Sequence, residues 1–247
     1  MRHGVCRDVL CAKDVAMKIV TIHQPEHLSY LGFFHKVSMA HTLVLLDNVQ
    51  YEKNYFQNRN RIYTSSGVRY ITVPVYDTRE DINKIEIADD FFKRTCRKNV
   101  ITITDAYRKA PFWNAYGEEF LSIYQCGEKS LALFNEKLLR FILGALGIEV
   151  EIVHASDLNV GGQKTELLMD ILHKVNADKY IAGKSGEDYM DMSIVDLPVE
   201  FQKFTHPVYT QWGKDHFEPY MSIIDALFNV GPSIMDIISA ANGGGRR

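Results

Sequence analysis

Apolar and β-branched residues run almost without interruption through 18–23 (KIVTIH) and 42–46 (TLVLL), the pattern of strands buried on both faces of a sheet. Between them, 31–40 places Phe33, Phe34, Val37 and Met39 at helical spacing, with Lys36 and Ser38 as polar positions. Pro25 ends the first strand, because it has no N–H to give a ladder. This strand–helix–strand unit predicts a parallel crossover at the start of an α/β domain.

Further strands are expected at 68–75, with Pro74 at an edge or end, and at 83–87, 149–154, 179–182 and 200–204. Helical spacing covers 89–110, 112–125, 130–146, 165–175, 221–228 and 233–240, and Gly147 sits where a helix-ending glycine belongs. The expected fold is α/β: a Rossmann-like, largely parallel sheet flanked by helices, with a helical middle section. One domain over 17–240 with a helical insert about 89–146 fits this order. Residues 1–16 read as a disordered extension or an overlong start, and 241–247 as a disordered tail.

Composition narrows the function classes. The 247 residues carry 28 Lys and Arg against 31 Asp and Glu, a net charge of −3, so no polybasic nucleic-acid face is expected. At 46% apolar and 11% aromatic, the chain has enough core-forming surface to exclude disorder as its main state. No run of 18 apolar residues predicts membrane insertion. Cys6, Cys11, Cys96 and Cys126 lack C-x-x-C or zinc-ligand spacing, so neither a metal site nor a disulfide framework is expected, and a reducing cytoplasm is the default. Cys96 and Cys126 lie in predicted helices with no partner histidine, as structural thiols do.

Four stretches could carry chemistry. His23-Gln24-Pro25-Glu26-His27 follows the first strand, where open parallel sheets gather ligands, and His23 is a candidate acid/base; the alternative is a turn fixed by Pro25. Asp47 closes the next strand on the same rim. Residues 48–61 (NVQYEKNYFQNRNR) concentrate amides with Lys53, Arg59 and Arg61 and the rings Tyr51, Tyr55 and Phe56. That mixture suits a phosphate- or sugar-reading site, or else a loop wired by its own amides. Gly183-Lys184-Ser185-Gly186 again follows a strand and could admit an anion, although a plain turn explains it equally well. His206, Tyr209 and Gln211 form the fourth stretch, with His206 a second candidate base or a residue restrained before Pro207.

The segments IHQPEHLSYLGFF (22–34), LDNVQYEKNYFQNRNRI (46–62), YIAGKSGEDYMD (180–191) and THPVYTQWGKDHFEPYMSIIDALFNVG (205–231) resemble the WbqC-like protein family. The resemblance implies site roles for His23, Gln24, Pro25, Asp47, Gln50, Lys53, Gln57, Asn58, Arg59 and Asn60. It also points to Gly183, Gly186, Tyr189, His206, Pro207, Tyr209, Gln211, Phe217, Asp225 and Gly231. One departure is visible: His27-Leu28-Ser29-Tyr30 stands where the family usually has an aromatic followed by Pro-Trp.

Members occur among genes for bacterial O-antigen and other surface polysaccharides. The resemblance therefore implies a cytoplasmic transferase placing an aminoacyl group, such as glycine, or an acyl group on an amino sugar. Its expected partners are small molecules, a nucleotide-sugar and an acyl or aminoacyl donor, with no cofactor; a second copy of the chain stays open as a partner. His23 and His206 are the expected catalytic residues. Substrate binding is expected from Gln24, Asp47, Gln50, Lys53, Gln57, Asn58, Arg59, Asn60, Gly183, Lys184, Tyr189, Tyr209 and Gln211. Two other classes remain: an ATP-dependent nucleotidyl transferase or ligase, and a non-catalytic binding protein of the same pathway.

Overall fold

Uninterrupted apolar runs have no solvent face, so they end as inner strands with helices on both sides. The computed structural model describes residues 17–76 and 78–242. The expectations for residues 1–16 and 243–247, Cys6 and Cys11 among them, lie outside the described residues. In chain order the strands are β1 (Ile19–His23), β2 (Thr42–Leu45), β3 (Arg59–Thr64), β4 (Gly67–Thr72), β5 (Glu151–His154), β6 (Lys179–Ala182) and β7 (Val199–Phe201). Five of them form one parallel sheet in the order β5-β2-β1-β6-β7, while β3 and β4 pair as a separate antiparallel hairpin. The fold is the expected Rossmann-like α/β arrangement.

The helices are α1 (Leu31–Ser38), α2 (Cys96–Tyr107), entered through a π turn at Phe91–Thr95, α3 (Trp113–Tyr124) and α4 (Leu131–Leu146). After them come α5 (Thr165–Lys174), the single turn α6 (Gly186–Tyr189), α7 (Ile223–Val230) and α8 (Ile234–Asn242). Side-chain alternation on β2 divides the core in two. Leu43 and Leu45 join the cluster of α1–α4, α7 and α8, whereas Val44 joins Val20, Ile22 and the Leu168–Ile171–Leu172 stripe of α5. Ser130 caps α4 by accepting from Leu133 N, and Gly147 ends it with a left-handed φ of 67°.

Three expectations change. Residues 83–87 are not a strand. Ile82 and Asn83 donate their N–H groups to Val49 and Asp47 carbonyls, which bends 82–84 into a 3-10 turn and leaves Ile87 a single bridge to Val75. The amide-rich block does not stay a loop: its end pairs as β3, with Gly67 (φ 96°) completing the turn into β4. Ala241 and Asn242 are the last turn of α8, not tail.

Residues Ile223–Asn242 are together long and apolar enough to cross a membrane by composition, but 56% of that window is buried inside the fold. Gly231 makes its internal break with a φ of 68°, and a Cβ there would lie 2.5 Å from the Phe112 ring.

The topology itself points to a place. From β1 the chain fills one half of the sheet through β2 and β5, then returns to the other side for β6 and β7. Strand order reverses between β1 and β6, and ligands of such sheets gather outside the strand ends at that reversal.

Candidate functional site

A cavity of about 540 Å³ opens at the reversal, lined from four directions. The β1–α1 segment supplies His23, Glu26, Tyr30, Phe33 and Lys36; the amide-rich segment supplies Tyr55, Phe56, Asn60 and Arg61. The loop after β6 adds Gly183, Lys184 and Ser185, and the C-terminal third adds Gln202, Phe204 and Tyr220. Cations outnumber the single lining carboxylate, and aromatic rings form much of the wall.

At the floor three titratable groups meet. Lys36 Nζ donates to the Ile22 carbonyl at 3.1 Å and lies 3.1 Å from His23 Nδ1. His23 Nε2 is 3.2 Å from Glu26 Oε1, within ion-pair range but off the line of a well-directed hydrogen bond. With an ammonium donating to Nδ1, the neutral ring carries its proton on Nε2, toward the carboxylate.

Burial pushes Lys36 down to about 8, with Glu26 opposing. Burial and then the Lys36 charge hold His23 below the ordinary histidine value, again against Glu26. Burial works to raise the Glu26 carboxyl, but His23, Ser29 and Lys36 outweigh it and hold it low. The cluster therefore gains a proton at His23 below neutrality and loses one from Lys36 just above it.

The expected site residues separate into those that meet here and those that do not. His23, Asn60, Gly183 and Lys184 line the cavity. Gln24 and Gln57 sit just behind it: Gln57, fully buried, donates to Gln24 Oε1 at 2.7 Å and accepts from Glu52 N at 2.8 Å. Asn58 donates to the Val73 carbonyl across the hairpin. Gln50, Lys53 and Tyr189 are exposed outside the lining. Arg59 turns away, donating to the Asn54 carbonyl and lying 4.9 Å from the Tyr70 ring centre.

Asp47 is on the expected rim but turns toward β5. It accepts from Ser156 N and Oγ at 2.9 and 2.8 Å and lies 3.3 Å from His154 Nδ1.

The C-terminal candidates form a support behind the wall. His206 Nδ1 donates to the Pro207 carbonyl at 2.8 Å, and Nε2 accepts from Tyr220 N at 3.1 Å, so both ring nitrogens are occupied outside the cavity lining. This corrects the assignment of His206 as a catalytic base. Tyr209 and Gln211 are likewise not at the cavity; both donate at 2.8 Å to Oδ2 of Asp225, whose Oδ1 accepts from Tyr107 at 2.9 Å.

Sequence reading passed over Lys36 and Tyr220 and gave Glu26 no role of its own, whereas Arg61, named there as a cationic donor, does line the cavity. Lys36 had a usable signal: a helix between two fully buried strands has little solvent face, so its lone lysine must be buried and must have partners.

His27, a departure from the family pattern, belongs to the core. It is fully buried, stacks on Phe134, lies 3.0 Å from Asn135 Oδ1, and receives the Tyr124 hydroxyl at 3.3 Å. Asn135 in turn donates to the Gln57 carbonyl. Burial pushes His27 down to about 4, with the Asn135 hydrogen bond opposing. The unfolded chain, with a histidine value of 6.5, then binds more protons than the fold. Stability from this group is complete above pH 6.5 and is lost as pH falls toward 4, by about 3 kcal/mol. Urea midpoints followed from pH 7 to 4 should show this slope, and His27→Phe should remove it even though the variant starts less stable.

Among the described residues no group of three or more His, Cys, Asp or Glu could hold a metal ion. No solved structure matches the chain. A curated relative, the uncharacterized protein Rv1507c of Mycobacterium tuberculosis (strain ATCC 25618 / H37Rv), is 30% identical over 239 residues, 90% of this chain and 98% of its own. The model of the WbqC-like protein family matches residues 24–237, from the turn after His23 to the middle of α8. That span includes every cavity wall except His23 itself, and by it the chain belongs to the WbqC-like protein family.

Proposed function

We propose that the cavity is the site of a transferase that places an aminoacyl or acyl group on the amine of an amino sugar carried on a nucleotide. The observation that supports this best is the Lys36–His23–Glu26 cluster at the floor of a cationic, aromatic-walled cavity at the strand-order reversal. Amine attack on an acyl carbonyl builds a negative oxygen and sheds one proton from nitrogen. The Glu26 carboxylate, beside the Nε2–H of His23, takes that proton and returns it to the departing group of the acyl donor as the carbonyl re-forms, and the Lys36 charge beneath favours the developing oxyanion. Arg61 and Lys184 suit a diphosphate, while the rings of Tyr55, Phe204 and Tyr220 suit a planar base or a sugar face. The substrates are then small molecules, and a cytoplasmic location accompanies this reading because nucleotide-linked sugars are made there.

A second reading, nucleotidyl transfer or ligation from a triphosphate, draws support from the strand order, which is that of nucleotide-binding sheets, with a histidine at the reversal. Release of AMP or pyrophosphate from ATP by the purified protein would select it over acyl transfer.

The binding half is testable by calorimetry with nucleotide-linked amino sugars. Arg61→Ala should weaken the best ligand about tenfold, as loss of a charge-assisted contact does. Lys53→Ala and Arg59→Ala should stay within about twofold, because neither side chain reaches the cavity. Equal losses in all three variants would place the ligand elsewhere.

A further inference from the structure

Tyr220 has a left-handed backbone (φ 59°), which an aromatic residue adopts only when its surroundings hold it there. Both of its peptide groups are held. Its N–H donates to His206 Nε2 at 3.1 Å, and its carbonyl accepts from Arg61 Nη2 at 2.9 Å. Its ring, 4.9 Å from the His206 ring and edge-on to it, stands in the cavity wall beside Arg61. Arg61 Nε is buried without a hydrogen-bond partner, and the guanidinium, which lines the cavity, is tied through Nη2 to the Tyr220 carbonyl.

We infer that His206 is a positioning residue: its neutral ring latches the Tyr220 backbone, and through it holds Arg61 and the Tyr220 ring at the cavity mouth. The inference rests on the reading of this cavity as the ligand site. The ring can act as an acceptor at Nε2 only while its one proton is on Nδ1, where the Pro207 carbonyl takes it.

A second proton turns Nε2 into a donor facing the donor of Tyr220, and the latch must open. The groups packed on the ring are Phe204, Tyr209, Phe217 and Tyr220. Of these, Tyr209 and Tyr220 are titratable. Two charges stand one residue beyond these neighbours: Asp225 behind Tyr209, and Arg61 behind the Tyr220 carbonyl. Burial lowers His206 from 6.5, with the Pro207 carbonyl opposing, so the opening falls on the acid side of that value.

Amide hydrogen exchange at Tyr220, expressed as a protection factor to remove the intrinsic pH dependence, reads the latch without any ligand. The parent should protect this amide at pH 7.5 and lose protection measurably by pH 5. His206→Gln, which offers a non-titrating acceptor at the same reach, should keep it at both values. His206→Phe, which keeps the ring contacts but has no acceptor, should lose it at both. Inorganic pyrophosphate, titrated at pH 7.5, should bind His206→Phe about tenfold more weakly than the parent and His206→Gln within twofold. A Tyr220 amide equally protected in His206→Phe, or in the parent from pH 7.5 to 5, overturns the latch. So does unchanged pyrophosphate affinity in a His206→Phe protein whose amide is open. If the parent itself ignores pyrophosphate, the cavity assignment fails, while the exchange data still decide the latch.

Discussion

Lys36→Met is expected to remove turnover, by about 10²–10³-fold, without lowering the melting temperature. Methionine keeps the length and apolar stem of the side chain but deletes the ammonium beneath His23. The ring then loses the donor that selects its tautomer, and the Glu26 carboxylate that receives the substrate proton no longer has a cation behind its histidine.

Stability follows a separate account. In the unfolded chain this amine has its ordinary value of 10.5, and in the fold it is pushed to about 8. The unfolded state therefore binds more protons between pH 8 and 10.5, and stability rises with pH across that window. At neutral pH the buried charge opposes folding by about 3 kcal/mol, which offsets the contacts that methionine cannot make. Melting curves at pH 7 and 10 should differ in the parent and converge in the variant.

The pH–rate profile of the parent should fall on its alkaline side near 8 and on its acid side below 6.5, the two edges belonging to Lys36 and His23. Turnover retained in Lys36→Met, once an acyl acceptor is in hand, would remove the cluster from the chemistry.

Asp225→Ala should be the most damaging change to the fold among the motif residues. The carboxylate is 1% exposed and accepts from the hydroxyls of Tyr107 and Tyr209 and the amide of Gln211. These come from α2 and from the segment before α7, so one side chain joins three parts of the larger core. Burial raises its pKa, with Gln211, Tyr209 and Tyr107 opposing in that order. Alanine leaves the two tyrosine hydroxyls without their acceptor and takes one of the two acceptors of the Gln211 amide, at about 1–3 kcal/mol each, less what is regained by removing a buried charge. The net loss is on the order of 4 kcal/mol, a melting point lower by roughly 10 °C. Tyr209→Phe removes one donor and leaves the other two satisfied, so it should cost only about 1 kcal/mol. A thermal shift below about 3 °C for Asp225→Ala would mean that the three donors find other partners.

These outcomes bear on how much of the site could be read from the residues. His23 was visible as a histidine at the end of a buried strand, and Gly183-Lys184 as a small-residue turn just past another. Parallel strands bring such ends together, and both are at the cavity. The amide-rich block does reach the cavity, but through Tyr55, Phe56, Asn60 and Arg61 in place of Lys53 and Arg59. Composition could not separate Arg59 from Arg61. What separates them is the hairpin and its neighbours: Arg59 packs on Tyr70 of β4, while Arg61 meets the Tyr220 carbonyl from the far end of the chain.

The motif His206–Gln211 shows the same limit from the other side. Its residue types suit catalysis, yet their hydrogen bonds are spent on Tyr220 and Asp225.

The sequence by itself determined the inner strands, the helices around them and the parallel crossover. Those depend on local periodicity and on the absence of any solvent face in an apolar run. Only the tertiary structure decided which polar groups share the cavity, because that depends on contacts between residues far apart in the chain, such as Arg61 with Tyr220, 159 positions away, and Gly32 with Gln202, 170 positions away. It also decided their charge states. A lysine, a histidine and a glutamate acquire their shifted affinities for protons from burial beside one another, and burial is a property of the packed chain.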